Sequence, residues 1–263
     1  MKRHHHRQRP TTDPSTTWPA AFPVVGVGAS AGGMEAFVEL LRHISHGSGM
    51  AFVLIQHLDP THPSHLCEAL ARSTGFPVHE IQDGMHVEPD HVYVIPPNAD
   101  VGILQGALTL VPRPTKAHRP HLPIDFFFSA LAADREHRAI GVVLSGTGSD
   151  GTEGLRAIKA EGGVTFAQKP QSAKFTSMPE AAIAAGVADF VLAIPELADE
   201  LQRIGHHPFL STQADQAVLA GPSDDGELAK VLVILRGASG ADFSEYKLTS
   251  IRRRLARRMA LHR

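Results

Sequence analysis

The 263-residue chain is 43% hydrophobic with a formal net charge of −2, which is typical of a globular protein with room for one large α/β domain or two smaller ones. Charge is unevenly distributed: residues 1–20 carry +3, residues 241–263 carry +5, and the segment between them therefore carries −10. An acidic main segment repels nucleic-acid phosphates, so we expect no nucleic-acid partner. No apolar run could span a bilayer and the N-terminus lacks the apolar core of a signal peptide, so we expect a cytoplasmic protein without membrane insertion.

The first twenty residues form a polar, proline-containing arm with three consecutive histidines at positions 4–6, and we expect this arm to be disordered. Cys67 is the single cysteine of the chain, which excludes an intramolecular disulfide and a cysteine metal cluster. Its helical surroundings indicate a packing role.

From residue 21 onward, short β-branched runs alternate with amphipathic segments. The pattern begins with strand VVGVG, a helix with apolar residues at helical spacing (Met34, Phe37, Val38, Leu41), strand AFVLIQHL and helix SHLCEALARSTG. A β-rich middle follows, with HVYVIPP and a predicted hairpin VGILQGALTLV that turns near Gly106. Alternation then resumes through IDFFFSALAADRE, AIGVVLSG, GTEGLRAIKAEGG, VTFA, MPEAAIAAG, DFVLA and IPELADELQRIG. Apolar strands separated by helices predict an α/β fold with a mostly parallel sheet covered on both faces, and a binding crevice at the carboxyl ends of the strands.

The pattern changes after the last of these helices. Residues 206–225 lose hydrophobic periodicity and gain turn residues, which predicts a linker between an α/β domain at 21–205 and a helical segment at 226–263. The first helix of this segment should present one apolar face (Leu228, Val231, Leu232, Leu235), and the second should bury three residues spaced four apart among arginines (Ile251, Leu255, Met259). No strand follows, so we expect a helical domain that is cut short.

The loop VVGVGASAGG fits two different sites. Gly26-x-Gly28-x-x-Ala31 is typical of a dinucleotide-binding loop, whereas Gly28-x-Ser30-x-Gly32 is typical of a turn that exposes a nucleophilic serine. Dinucleotide binding also requires an acidic residue at the end of the second strand. That strand ends in Gln56 and His57, with Asp59 two residues beyond, so the oxidoreductase interpretation is weakened but stays open.

The nucleophile interpretation requires a base and an orienting carboxylate near Ser30. Parallel strands would bring His57 and Asp150, which follow two other strands, to the same edge of the sheet. His57 would take the proton of Ser30, and Asp150 would hold the imidazole in the required tautomer. Each residue also has a structural alternative: Ser30 as a loop or N-cap serine, His57 as a strand-end histidine and Asp150 as the N-cap of TEGLRAIKA. Asp125 is a competing carboxylate at another helix start.

The glycines of the loop also fit a nucleophile turn. Gly28 and Gly32 would let the chain turn sharply, while Gly32 and Gly33 would leave backbone N–H groups free to stabilise an oxyanion.

A metal site in the segment QHLDPTHPSHL is the less favoured interpretation. His57, Asp59, His62 and His65 are separated by two prolines and show no ligand spacing on a shared helix face, so we expect no metal.

Five motifs together carry a family resemblance: GASAGG, QHL, LSGTGSDG, Gln168-x-x-x-Ser172-Ala173 and Met178-Pro179. From about Pro23 to Ile204 the chain resembles the catalytic domain of the chemotaxis-type protein-glutamate methylesterases, the CheB family. The stretches PDHVYVIPP and PIDFFFSAL match the same family. The resemblance implies a Rossmann-like, doubly wound α/β sheet with a β-hairpin insertion. It also implies a serine hydrolase with the triad Ser30, His57 and Asp150 that needs no cofactor.

The implied substrates are glutamate γ-methyl esters on the cytoplasmic helices of chemoreceptors, with glutamine deamidation as a related activity. Two positions depart from the common family pattern, because Ala31 stands where Thr is frequent and Thr147 where Met is frequent. Backbone N–H donors survive both changes, so oxyanion stabilisation and substrate positioning are expected from Ala31, Gly32, Thr147 and Gly148. Only about twenty residues precede the first strand, so no phosphorylation-gated receiver domain is expected in this chain.

The C-terminal stretch DFSEYKLTSIRRRLARRMALHR resembles the opening of the helical domain of CheR-type receptor methyltransferases. The resemblance implies the front of a methylesterase–methyltransferase fusion, with a fused or associated methyltransferase region as partner. A solvated basic helix is the simpler alternative for these arginines. Likewise, a non-catalytic module that docks on receptors or on a kinase is the alternative for the α/β domain.

Overall fold

The computed structural model describes residues 22–57, 66–113, 121–210, 225–240 and 247–262. The predicted N-terminal arm and residues 211–224 of the predicted linker lie outside this description. Residues 206–210 are described. Phe209 and Leu210 lie within a 3-10 turn, Pro208–Leu210, and are buried, so the packed core continues five residues past the predicted end of the α/β domain.

Strands and helices alternate as the apolar runs predict. The strands are β1 Val24–Ala29, β2 Ala51–Gln56, β3 Val78–Glu80, β4 Met85–His86, β5 Val92–Val94, β6 Ala99–Leu104, β7 Ala107–Pro112, β8 Ala139–Val143, β9 Val164–Gln168 and β10 Phe190–Leu192. The helices are α1 Gly33–His43, α2 Leu66–Ser73, α3 Pro123–Arg135, α4 Thr152–Ala160, α5 Ser177–Ala184, α6 Ile194–Gly205, α7 Asp225–Ser239 and α8 Leu248–His262. Within the described ranges, no helix is both long enough and apolar enough to cross a bilayer.

Seven strands form one sheet in the order β10-β9-β8-β1-β2-β5-β3, and every neighbouring pair is parallel. The central strands are completely buried, which explains why their sequences are continuous apolar runs rather than alternating ones. The chain proceeds from β1 to β2 on one side and returns to β8 on the other, so the topological switch point lies at β1. Ligand crevices form at such points, outside the carboxyl ends of the strands.

The predicted hairpin is present as part of a second, antiparallel sheet in the order β4-β7-β6. Gln105 and Gly106 form its two-residue turn with φ values of 52° and 77°, the left-handed conformation that matches the twist of a hairpin. The carboxylate of Asp134 in α3 accepts hydrogen bonds from both turn N–H groups, so the hairpin is attached to the helix beside the main sheet.

Helices cover both faces of the main sheet, which confirms the predicted doubly wound fold. One core contains α1 and α6 with Phe37, Phe52 and Phe166, and the other contains α3 and α4 with Phe127 and Phe128. Helices α3 and α1 therefore approach β1 from opposite sides of the sheet.

The packing face of α8 differs from the predicted one. Ile251 is buried, but Met259 is 72% exposed and Ala260 is buried in its place. Arg203 of α6 donates a hydrogen bond to the carbonyl of Ala260 at 2.8 Å, and Ala260 packs into the core that contains α6. The prediction that Met259 packs inward is therefore wrong.

Candidate active site

Ser30 directly follows β1 and is held there by backbone hydrogen bonds. Its N–H donates to the carbonyl of Ser145 at 3.1 Å, and its own carbonyl accepts from the N–H of Gly33 at 2.9 Å. The turn into α1 passes through Gly32 at φ 69°, a conformation that glycine adopts without strain. A side chain at Gly32 would lie 3.0 Å from both Lys174 Cβ and Ser145 Oγ, so space as well as conformation requires glycine here.

The two glycines inside β1 serve a different purpose. A Cβ on Gly28 would lie 2.4 Å from Ile124 Cγ2, and one on Gly26 would lie 2.9 Å from a ring carbon of Phe128. Both glycines therefore let α3 pack directly against the strand. The prediction that Gly28 makes the turn is wrong, and the space beside it is filled by a helix rather than open to a pyrophosphate.

His57 joins the other two predicted residues through its two ring nitrogens. Nδ1 lies 3.3 Å from Ser30 Oγ, and Nε2 lies 2.9 Å from Asp150 Oδ2. Because a carboxylate only accepts, Nε2 carries the proton that is donated to Asp150, and the lone pair of Nδ1 faces the serine. His57 is 31% exposed whereas Asp150 is 2% exposed, so the imidazole lies between a buried acid and a hydroxyl that substrate can reach.

Asp150 is fixed by backbone groups at the starts of α3 and α4. Its carboxylate accepts hydrogen bonds from the N–H groups of Ile124 at 3.0 Å, Asp125 at 2.9 Å and Gly151 at 2.9 Å. These donors, with the positive end of the α3 dipole, hold the carboxylate in place beside His57. Asp150 does not act as the N-cap of α4, because Gly151 occupies that position; it satisfies the first N–H groups of α3 instead.

The competing carboxylate, Asp125, is bound to the other helix. Its Oδ1 accepts from the N–H of Gly154 in the first turn of α4 at 2.7 Å. Burial raises the pKa of Asp125, and the nearby negative charge of Asp150 raises it further. The carboxylate of Asp150, just before α4, therefore binds N–H groups at the start of α3, while the carboxylate of Asp125, in α3, binds an N–H group at the start of α4. Of the two, Asp150 is the one that contacts His57.

Free N–H groups lie beside Ser30 at Ala31 and Gly32, but not at Gly33. The N–H of Gly33 is used by the Ser30 carbonyl, which contradicts its expected role as a free donor. Within the described part of the chain, the N–H groups of Ala31 and Gly32 donate no backbone hydrogen bond. Thr147 and Gly148 are exposed in the loop between β8 and Asp150.

Gly146 places the start of that loop against the serine. A Cβ on Gly146 would lie 3.0 Å from Ser30 Cβ and only 2.1 Å from Met178 Sδ. The loop that carries Thr147 and Gly148 therefore begins directly beside Ser30.

Three further residues support the turn, and residue types alone gave them no role. Ser145 Oγ donates to the carbonyl of Ala31 at 2.9 Å and accepts from the N–H of Phe175 at 3.0 Å. Gln168 Oε1 accepts from the N–H of Ser145 at 2.9 Å, while Met178 packs against Gly146. Ser145 lies two residues after β8 and Gln168 ends the neighbouring β9, and all three residues stand in motifs that carry the family resemblance.

The alternative metal site and Cys67 are the remaining features that the sequence analysis considered. Asp59, His62 and His65 of the alternative metal site lie outside the described residues, so the expectation of no metal stays a prediction. Cys67 is partly buried, and burial raises the pKa of its thiol to about 11, with a further contribution from Glu80. A thiol with that pKa is a poor nucleophile near neutral pH.

Two family models match the chain. The model described as CheB methylesterase matches residues 25–201, and the all-alpha domain of CheR methyltransferase matches residues 226–263. The catalytic domain of Thermotoga maritima CheB methylesterase superimposes with a TM-score of 0.64 at 26% identity, and the match covers 70% of this chain and 98% of that one.

Longer relatives show similar matches. A Geobacter sulfurreducens protein named protein-glutamate methylesterase/protein-glutamine glutaminase 1 is 31% identical over 202 residues, covering 75% of this chain and 56% of its own length. A 104.1 kDa Rhodobacter capsulatus protein from the hypE 3' region is 39% identical over 216 residues, covering 74% of this chain and 22% of its own length. The chain thus spans about half the length of the first relative and less than a quarter of the second.

Proposed function

Because the chain belongs to the CheB methylesterase family, we propose that its α/β domain is a serine hydrolase that removes methyl esters from glutamate side chains of chemoreceptors. One observation carries this proposal: His57 lies within hydrogen-bond reach of both Ser30 Oγ and the buried Asp150. The name of the Geobacter relative supports the choice of ester and of glutamine deamidation as a second activity.

In the proposed first step, Ser30 Oγ attacks the ester carbonyl while Nδ1 of His57 takes the hydroxyl proton. The Ser30–His57 distance of 3.3 Å is long for a hydrogen bond, as is common before substrate binds. The tetrahedral intermediate places a negative charge on the former carbonyl oxygen. The free N–H groups of Ala31 and Gly32 are the nearest candidates to stabilise it, assisted by the loop of Thr147 and Gly148.

Collapse of the intermediate breaks the ester bond, and His57 donates its proton to the leaving methoxide to form methanol. Water then gives a proton to His57 and attacks the glutamyl-Ser30 ester, which releases glutamate and restores the serine hydroxyl. With a glutamine side chain the same sequence releases ammonia. Asp150 stays ionised throughout and stabilises the imidazolium.

The proposed substrate partner is a methylated cytoplasmic helix of a chemoreceptor. The match to the CheR all-alpha domain at residues 226–263 supports a second proposed partner, a fused or associated methyltransferase region. Opposing modifications of the same glutamates would then be carried out by neighbouring domains.

Methanol release from a methylated receptor fragment tests this function. Ser30→Ala should lower the rate by at least about 10³-fold, because the covalent intermediate cannot form. Ser45→Ala is the matched control, since Ser45 is exposed and uses its backbone N–H, rather than its hydroxyl, to contact Gln202. An unchanged rate in Ser30→Ala would exclude the mechanism, and receptor binding without methanol release by the unaltered protein would favour the docking-module alternative.

A further inference from the structure

A basic cleft lies at the edge of the main sheet opposite Ser30, between α4 and α8. Its volume is about 550 Å³, and the turns at Gly162 and Gly186, which precede β9 and β10, form its floor. Five of the described residues that line it carry positive charge and none carries negative charge: Arg156, Lys159, Arg254, Arg257 and Arg258.

Neighbouring carboxylates neutralise only part of this charge. Asp189 is shared by Lys159 at 3.1 Å and Arg257 at 2.5 Å. Glu153 pairs with Arg156 at 3.1 Å in a largely exposed contact within α4. Five cations against two carboxylates leave an excess of three positive charges around one recess.

Arg254 and Arg258 account for most of this excess. Both are exposed, and in the part of the chain that the structure describes neither has a carboxylate within ion-pair distance. They lie four residues apart and therefore on the same face of α8. Like charges at this spacing repel each other, so an anion bound between them would relieve an unfavourable interaction.

We propose that this cleft binds a small ligand with several negatively charged phosphate groups, such as a nucleoside triphosphate or an inorganic polyphosphate. Guanidinium groups bind phosphate oxygens through two parallel hydrogen bonds, and here they face the ligand from α8 while Arg156 and Lys159 face it from α4. The volume lies within the roughly 300–1,000 Å³ that is usual for small-molecule sites. A long nucleic acid fits poorly, because residues 21–240 carry a net charge of −10.

Binding at this position would connect the two parts of the chain. The ligand would contact α4 of the methylesterase domain and α8 of the segment that matches the methyltransferase family. It would therefore hold α8 against the α/β domain without reaching Ser30.

Isothermal titration of the 263-residue protein with inorganic triphosphate tests the proposal. We expect binding with a dissociation constant below about 1 mM that weakens as salt is raised, and orthophosphate should bind at least about tenfold more weakly. A parallel titration with adenosine triphosphate identifies the source of the phosphates. Tighter binding than triphosphate points to a nucleotide, and equal binding points to the phosphate chain itself.

The double variant Arg254→Gln/Arg258→Gln should lose about tenfold or more in triphosphate affinity, because two charge-assisted contacts are removed. Arg42→Gln/Arg72→Gln is the matched control, since it removes two exposed positive charges from α1 and α2 and should bind as the unaltered protein does. Circular dichroism and methanol release establish that both variants are folded. The proposal is overturned if triphosphate does not bind, if the two double variants lose affinity equally, or if a polyglutamate peptide binds more tightly than triphosphate.

Discussion

The two edges of the main sheet hold their charged groups in different ways. At the carboxyl edge, Asp150 is fixed by three backbone N–H donors and Ser30 by two backbone hydrogen bonds. At the amino edge, Asp189 contacts the side chains of Lys159 and Arg257 and accepts from the hydroxyl and the backbone N–H of Thr165. Backbone donors cannot rotate away, so they hold Asp150 in the geometry that proton transfer needs, whereas the contact between Asp189 and α8 is made by the long side chain of Arg257.

Asp150→Asn should give the largest effect at the carboxyl edge. The amide keeps one oxygen for the backbone donors but cannot stabilise an imidazolium, and it can leave His57 in the wrong tautomer. We expect methanol release to fall by about 10⁴-fold while the protein stays folded. Asp125→Asn serves as the control, because Asp125 contacts Gly154 rather than His57. An equal loss of activity in both variants would contradict the assignment of separate functions to the two carboxylates.

Gly28→Ala should destabilise the carboxyl edge of the sheet through the contact between β1 and α3. The added methyl group would lie 2.4 Å from Ile124 Cγ2, and such overpacking typically costs about 1–3 kcal/mol in the free energy of unfolding. Because the N–H of Ile124 donates to Asp150, methanol release should fall as well. Urea denaturation measures the first effect.

The double variant Gly28→Ala/Ile124→Ala restores the space and should recover part of both losses. If Gly28→Ala alone is as stable and active as the unaltered protein, α3 does not need glycine at this contact.

Arg257→Gln should give the smallest effect, and this effect should be on the stability of α8 rather than on catalysis. It removes the contacts of Arg257 with Asp189 and with the carbonyl of Gly163, and we expect a cost of about 1–2 kcal/mol that appears as faster hydrogen exchange in α8. Methanol release should be unchanged, because the site lies at the other edge. Arg253→Gln removes only an exposed pair with Glu136 and should cost less than about 1 kcal/mol. A loss of activity in Arg257→Gln would show that the two edges are coupled.

The sequence predicted the sheet and the meeting of Ser30, His57 and Asp150 because both follow from local patterns. Apolar runs give the strands, and the rule that parallel strands end at one edge brings together the residues that follow them. The partners of Asp150 and Gly28 could not be predicted in this way, because both contact α3, which approaches from a distant part of the chain. Which N–H groups near Ser30 are free depends on the hydrogen bond from the N–H of Gly33 to the carbonyl of Ser30. Residue types alone do not reveal that bond.

Met259 illustrates a second limit of sequence reasoning. Helical spacing predicts which residues share a face but not how closely that face approaches its neighbour. Ala260 rather than its neighbour Met259 is buried where α8 meets Arg203 of α6, and Met259 lies in solvent.

The start of α3 contacts two parts of the site at once. Ile124 touches Gly28, two residues before Ser30, with its side chain and Asp150 with its backbone N–H. The relative position of nucleophile and acid is therefore set by one rigid helix rather than by the combined flexibility of two loops. A change in the surface loops around the site would consequently leave the separation of Ser30 and Asp150 unaltered.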